Sequence, residues 1–464
     1  MVIKDLLRLL PVGLLGAALA PGTAQALELP EAVRQALENN NQVQAQRYRQ
    51  EAAGYRAEAA GSGYLPVVDL EVGARATNSP AQAFMAKLSQ GDVQGEDFGD
   101  LTQGDFGTLN DPDTTSDLAT ALVLRQPLYR GGATSAEVRR ARSNREAMSR
   151  QLDQTRLDVA LGATKAFLRV QLAEARVAVT EEALKAAREH LRIAENRLET
   201  GAAMRGDMLQ ARTRVSELEE QLLAHRNGVA VAKSALNERL GRDLDAPVNL
   251  DRDLGEDLPA KAPGLDALVE RAIAKRPAIA ATEAQLGAAR AGVDAATAEL
   301  LPHVNLEARL EDHRASTADQ SWLAGVRMDW RLFGGGRWAS RDAAEAERYA
   351  ARARLTDIRR KVRLEVKRAR LDLDTARRRL DTVGHAVASA RESLRTNTDR
   401  YRQGAATMVE VLDAQLARQQ ARLRQVEAFY DLRLSHARLQ KAVGQTPVLD
   451  RLAGPDGTGG APHG

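Results

Sequence analysis

Residues 163–240 and 366–443 are one construction built twice, in register, 203 positions apart (366 − 163 = 203). Ala163, Val170, Val177, Leu184, Leu191 and Leu198 fall on a strict seven-residue repeat, and Val366, Leu373, Leu380, Val387, Leu394 and Tyr401 follow it in the second copy. The same offset links Gly201 to Gly404 and Gly241 to Gly444. A sustained heptad of this kind specifies a long helix whose apolar seam must pair with other helices. A duplicated long hairpin cannot bury such a seam alone, so the unit points to an assembly.

The run from Thr134 to Thr200 predicts a helix of roughly 100 Å at 1.5 Å per residue. Its neighbours, Pro30–Gly61 and Gly206–Leu240, together match that length and are expected to stack end to end along it. The second half repeats the plan, with 268–300 and 407–443 beside 337–403. Ala166, Ala173, Ala187 and Ala194 alternate with larger seam residues, which lets the helices approach closely.

Between the helices lie segments of period two, the mark of strands with two different faces. Val67–Ala76 sets Val68, Leu70, Val72, Ala74 and Ala76 against Asp69, Glu71 and Arg75. Residues 303–312 set Val304, Leu306, Ala308 and Leu310 against Glu307, Arg309 and Glu311, and 321–332 set Trp322, Val326, Met328 and Trp330 against Arg327 and Asp329. The strand at 118–128 is less regular, because Thr120 and Gln126 interrupt Leu118, Leu122, Leu124 and Leu128; its place ahead of LYRGG, which mirrors LFGGG at 332–336, supports it. Segments of about ten residues have the length of a tilted transmembrane β-strand. A half-buried soluble sheet gives the same alternation, but no amphipathic helix is left over to cover a second face. Four strands do not close around a lumen, so several chains would have to share one barrel.

Lys4 and Arg8, an apolar stretch from Leu9 to Ala20 and the small-x-small sequence Ala24-Gln25-Ala26 predict a secretory signal over residues 1–26, cut after Ala26. No other run approaches the roughly 20 apolar residues of a spanning helix. There is no cysteine, hence no disulfide and no lipid anchor on one. The mature chain divides into a first repeat at 27–241, a linker rich in Asp, Pro and Gly at 242–264, a second repeat at 265–444 and a tail at 445–464. The halves differ in one connection: 77–117 is a loop of roughly 40 residues, a length usually tied to function or mobility, whereas 314–320 is short.

Sixty-six basic residues are interspersed with 63 acidic ones for a net charge of +3, without the segregated basic face that nucleic acid requires. Seven scattered His and no Cys suggest no metal site, and no catalytic constellation or cofactor motif stands out. His225 sits at a helix seam as a packed or hydrogen-bonded residue. Gly334-Gly335-Gly336 lacks the Lys and Ser/Thr of a phosphate-binding loop and reads as a strand-to-helix bend.

At LYRGG and LFGGG, and at the two turns NRLETGAAMRGDMLQA (196–211) and DRYRQGAATMVEVLDAQ (399–415), the chain resembles the TolC-like outer-membrane efflux proteins. The paired turns share the form Gly-x5-acid-x-Leu, and the resemblance covers nearly all of the mature chain. It implies a mainly α fold with a transmembrane β-barrel contribution: a homotrimer whose chains give four strands each to a shared barrel, continued by a periplasmic helical tunnel. The implied role is a passive exit duct for efflux or type I secretion, joined to a periplasmic adaptor and an inner-membrane pump. A soluble periplasmic coiled-coil adaptor or scaffold is the competing reading.

The resemblance also implies site residues. Glu410 and Asp413, three apart on one helix face, match carboxylates that ring the family's closed periplasmic mouth. Asp207 and Tyr401 join them as gate candidates, although Asp207 reads equally well as an acid stabilising a helix N-terminus and Tyr401 is also a seam residue. Ala406 stands where some members carry an arginine. Gly201, Ala202, Gly404 and Ala405 match adaptor-docking tips. The strand residues expected to face lipid are Val68, Leu70, Val72, Val304, Leu306, Trp322, Val326 and Trp330.

Overall fold

The computed structural model describes residues 26–98, 107–250, 262–313 and 320–447. The expected signal segment up to Gln25, most of the expected tail and the centre of the expected linker lie outside the described residues, as do 99–106 and 314–319 of the two hairpin connections. Each half reads short helix, short helix, strand, strand, long helix, helix. The first half comprises α1 (Leu29–Asn39), α2 (Asn41–Gly61), β1 (Val67–Thr77), β2 (Thr115–Arg130), α5 (Ala133–Glu199) and α6 (Arg205–Leu240), with α3 (Pro80–Ser89) and α4 (Gly107–Asn110) between the strands. The second comprises α7 (Leu265–Lys275), α8 (Pro277–Ala298), β3 (His303–His313), β4 (Ser321–Asp329), α9 (Arg337–Arg402) and α10 (Met408–Ala442).

The helices expected as single runs at 30–61 and 268–300 are each broken in two. Asn40 is extended (φ −73°, ψ 123°) and its side chain caps the next helix at Gln42 N, 2.9 Å away. Arg276 has almost the same geometry (φ −72°, ψ 118°), because the following Pro277 pushes it out of the helical region. The corners receive the end of the returning helix: a Cβ on Gly241 would lie 2.9 Å from Asn39 Cβ, and one on Gly444 would lie 2.9 Å from Lys275 O. Arg276, 5% exposed, ties the second corner by bonds to Lys441 O (2.8 Å) and Glu365 (2.9 Å).

The heptad residues of α5 and α9 are buried or half-buried along both long helices. α1, α2 and α6 line α5; α7, α8 and α10 line α9; α8 and α10 also pack on α5. The result is an arc four helices wide. Apolar residues remain exposed on both flanks, Tyr48, Tyr55, Leu223 and Val231 on α2 and α6, and Trp338, Tyr349, Leu364 and Leu371 on α9. Most of the buried apolar side chains form clusters within one repeat. The cluster of Ala194, Ala211, Tyr401, Met408 and Val411 draws on both repeats, and it lies where the two helical hairpins turn.

The sheet is likewise an open arc, antiparallel in the order β1-β2-β3-β4, with β1 and β4 as edges among the described residues. β2 extends beyond the expected 118–128, and its pairing with β3 shifts register between Pro127 and Tyr129. Pro127 has no N–H for the ladder, so an irregularity there is what its chemistry allows. The bulge displaces Leu128 from the alternation, so that Tyr129 takes the place beside Val304, whereas Thr120 and Gln126 lie before it and keep to the even face as polar residues. β4 stops at Asp329 instead of 332, and the chain passes through Gly334, Gly335 and Gly336, all at positive φ, into α9.

Candidate functional site: a two-faced sheet and a paired helical tip

In register, the odd-numbered residues of all four strands share one face and the even-numbered residues share the other, apart from the bulge. The even face carries rows of apolar side chains: Val304 with Met328, Leu306 with Val326, Ala308 with Ala324, and Leu310 with Trp322. β1 and β2 continue two of them, Val68 and Leu124 level with Ala308, Leu70 and Leu122 level with Leu310. From Val304 to Leu310 the band spans about 20 Å along the strand at 3.4 Å per residue. Val68, Leu70, Val72, Trp322, Val326 and Trp330 are more than half exposed; Val304 and Leu306 on the inner strand are half-buried. Toward the 77–117 connection polar side chains begin to interrupt the band: Thr120 lies level with Asp312 and Val72, and Ser116 follows beyond the Ala74–Leu118 pair. At its other end Trp330 donates from Nε1 to Leu300 O (3.2 Å), and Gln126 donates to Tyr64 O (3.0 Å).

The odd face is charged, and most of its charges are paired, chiefly across strands. Arg125 bonds Asp69 (2.7 Å) and Glu71 (3.2 Å); Arg309 bonds Glu71 (2.8 Å) and Glu311 (3.1 Å); Arg327 bonds Glu307 (3.2 Å); His313 bonds Asp117 (2.8 Å). Opposite charges in contact cancel most of each other's field, so this face is hydrophilic without strongly favouring one ion sign.

The 77–117 connection, expected as a loop, contains α3, which lies over the charged face. Gln90, 5% exposed, donates to Ser116 O (2.8 Å) and Asp117 Oδ1 (3.1 Å), and the Phe84 and Phe98 rings meet edge to face 5.9 Å apart. Lys87 pairs with Asp97 at 2.6 Å. Between α3 and the sheet is a cavity of about 490 Å³ that includes Glu71, Gln82, Asp117 and Arg309 in its lining.

At the far end of the helices, both hairpins turn through the same chemistry. Gly201 (φ 72°) donates to Leu198 O and Ala202 to Arg197 O; Gly404 (φ 76°) donates to Tyr401 O and Ala405 to Arg400 O. These are Schellman turns, and the left-handed residue each requires is the glycine. Gly201, Ala202, Gly404 and Ala405 are all exposed.

The gate candidates separate. Glu410 closes a capping box with Thr407: its carboxylate accepts from Thr407 N (2.6 Å) and Oγ1 (3.1 Å), while Thr407 Oγ1 accepts from Glu410 N (3.4 Å). Those donors hold its carboxyl below the usual range, the Thr407 amide foremost. Asp413, one turn on, is exposed. Tyr401 is 5% exposed within the tip cluster, and its hydroxyl is buried with no partner among the described residues. Burial pushes that phenol up, and the nearby Asp207 charge adds to the effect.

Arg197 escaped the sequence reading. Its guanidinium stacks over the Tyr401 ring at 4.8 Å and donates to the Tyr401 and Ala202 carbonyls. Its identity with Arg400 at the 203 offset was the available signal. Elsewhere, His225 accepts or donates one hydrogen bond with Thr180 (2.9 Å) in the α5–α6 seam.

The family of outer membrane efflux proteins matches this chain over residues 32–242 and 268–445. Among curated proteins, the chain is 28% identical over 192 residues to the probable efflux pump outer membrane protein TtgC and to the antibiotic efflux pump outer membrane protein ArpC, both of Pseudomonas putida. Each of those matches spans 39% of this chain and 38% of the relative's length. In fold, the chain superposes on VceC of Vibrio cholerae (TM-score 0.74, 20% identity, 90% of this chain and 97% of that one). It superposes equally on CusC (TM-score 0.76, 18% identity, 91% and 93%).

Proposed function

The chain belongs to the outer membrane efflux protein family, and on that premise we propose that it is the outer-membrane exit duct of a tripartite efflux or type I secretion system. The observation that carries the reading is the sheet: an exposed apolar face about 20 Å tall backs onto a face of paired charges, and no helix among the described residues covers the apolar side. Lipid is the medium that such a face fits, with the charged face lining water. A soluble coiled-coil scaffold would leave that apolar face against water.

Both arcs have open flanks, and three copies supply twelve strands and close them. The unpaired edges of β1 and β4 then pair between chains, as a membrane sheet requires. The exposed apolar residues of α2 and α6 meet those of α9. In this homotrimer the helices form a periplasmic tunnel, and the exposed Gly201-Ala202 and Gly404-Ala405 turns are the docking points for a periplasmic adaptor that links the duct to an inner-membrane pump.

At the tunnel mouth, Glu410 serves first as a helix cap. Asp413 is the carboxylate free to act on passing ions, and three copies would make the mouth prefer cations. The charges of the barrel, being paired, add little selection. The test is single-channel recording of the purified protein in planar bilayers. A cation-selective conductance blocked by a multivalent cation is expected, with block weakened in Asp413→Ala. Absence of any conductance would overturn the duct, and unchanged block would remove Asp413 from the mouth.

A further inference from the structure

The duplication of this chain extends to the register of its strands. Val67 pairs with Arg125 in the first hairpin, and His303 pairs with Asp329 at the same places in the second (303 − 67 = 236; 329 − 125 = 204). The two repeats then meet through β2 and β3, in a register that runs from Ala119 opposite His313 to Gln126 opposite Leu306. The free edge of β4 corresponds to the edge that β2 gives to β3, and the free edge of β1 to the edge that β3 gives to β2. A neighbouring copy therefore offers β1 what β2 offers β3.

Carried across by the same two offsets, the β2–β3 register sets Trp330 of one chain opposite Leu70 of the next, Met328 opposite Val72, Val326 opposite Ala74 and Ala324 opposite Ala76. All lie on the even face, and Leu70, Val72, Val326, Met328 and Trp330 are more than half exposed in the single chain. A slip of one residue would turn the strand over, whereas a slip of two would still match the faces. The duplication selects between them. The same register sets Leu323 of one chain opposite Thr77 of the next. Leu323 is the one large apolar residue among the odd positions of β4, on the charged face, and it is mostly exposed. Beside Thr77 lies α3, whose Gln82, Met85 and Ser89 line a cavity together with Glu71, Arg75 and Thr77 of β1. That cavity follows the free edge of the sheet, and Met85 is more than half exposed there.

We propose that β4 of a neighbouring copy joins β1 in the register of β2–β3, and that α3 overhangs this joint and covers the partner's Leu323 with Met85. The proposal rests on the duct reading, in which several copies share one barrel. It gives two exposed apolar side chains on the water-lined face a common reason: each covers the other across the boundary between chains. Gln90 holds α3 in place through Ser116 O and Asp117. Releasing α3 therefore uncovers Leu323 and leaves the strands paired. The helix belongs to the first repeat alone, since the 314–320 connection is too short to hold its counterpart, so each joint between chains receives one such cover.

The chain has no cysteine, so paired substitutions report the joint directly. Residues opposite each other on antiparallel strands stand about 4.5–5.5 Å apart at Cα, within disulfide range, and diagonal neighbours stand about 7–8 Å apart, beyond it. Within one chain β1 and β4 are three strand spacings apart, about 14 Å, so a bond between them joins two chains. In outer-membrane fractions treated with copper phenanthroline, Ala76→Cys with Ala324→Cys is expected to form covalent trimer at least about tenfold faster than Ala74→Cys with Ala324→Cys, the two-residue slip. Met85→Cys with Leu323→Cys should also bond, and adding Gln90→Ala should slow that bond at least about tenfold without slowing the first. Labelling of Leu323→Cys by a water-soluble maleimide gives the same reading without oxidation, and Gln90→Ala should speed it at least about tenfold. Faster bonding of the Ala74 pair overturns the register, and equal labelling with and without Gln90→Ala overturns the α3 contact. If the bonds form as stated and planar bilayers show no conductance, the duct reading fails and the joint stands. If the protein conducts and neither strand pair bonds, the joint fails and the duct stands.

Discussion

Ala324 and Gly325 are neighbours on β4, opposite Ala308 and Glu307 respectively, and they put the assignment of the two sheet faces to a test with a single substituent. Arginine at 324 places a guanidinium in the third of four apolar rows, between the Leu306–Val326 and Leu310–Trp322 pairs. Near the bilayer midplane that costs about 2–4 kcal/mol per chain. At 1.36 kcal/mol per factor of ten, this is a shift of about 30- to 1,000-fold against insertion, incurred three times in a trimer. Arginine at 325 points to the charged face beside Glu307. A Cβ there meets nothing within 4 Å, so the change should stay within about 0.5 kcal/mol of neutral. The assay is the yield of SDS-resistant trimer in outer-membrane fractions at matched expression. Gly325→Arg should assemble as wild type does, and Ala324→Arg should not. Equal assembly of the two would refute the assignment of the even face to lipid.

At the second tip, Thr407→Ala removes the hydroxyl half of the capping box, leaving the backbone N–H at 407 to Glu410, and should destabilise the start of α10 by about 0.5–2 kcal/mol, read as faster amide exchange at residue 410. Because the Glu410 carboxyl is held below its ordinary 4.5, the cap contributes fully above that value and is lost as pH falls through the lower folded value. Glu410→Gln should keep the fold of the turn and abolish this pH dependence in amide protection at Thr407. His436 is 1% exposed on α10, and burial, with the Arg377 charge adding to it, pushes its imidazole down to about 4 from 6.5. The neutral form is thus favoured in the folded chain, and stability present above 6.5 is lost progressively as pH falls toward 4. The total is about 3 kcal/mol at 1.36 kcal/mol per unit; denaturant midpoints for wild type and His436→Gln between pH 7 and 4 should converge as the pH is lowered, and parallel curves would count against this. Finally, Gln90→Ala should release α3 from Asp117 and raise proteolytic cleavage within 80–98 without changing trimer yield.

Much of this architecture was legible because its signals are periodic. A heptad is a statement about every seventh residue, and alternation about every second, so the long helices and the two sheet faces could be read without knowing what touched them. The helix breaks at Asn40 and Arg276 were missed for a specific reason: single residues in extended geometry hardly disturb a periodic pattern, although Pro277 was a visible sign. α3 was missed because its ten residues sit within a polar connection and are held there chiefly by Gln90 and an aromatic pair. At the tips the glycines and acids were visible, yet the spacing of Glu410 and Asp413 could not show that Glu410 is bound to Thr407 while Asp413 is left exposed.

By itself, then, the sequence determined the duplication, the helical hairpins, the opposite characters of the strand faces and the turns at Gly201 and Gly404, since each follows from local stereochemistry or from a repeat along the chain. Only the tertiary structure decided which equivalent residues part ways. Arg197 and Arg400 are interchangeable along the chain; in space one faces the Tyr401 ring and carbonyl and the other faces solvent. Duplication makes two copies of every residue alike, and packing the copies against each other places them in different surroundings.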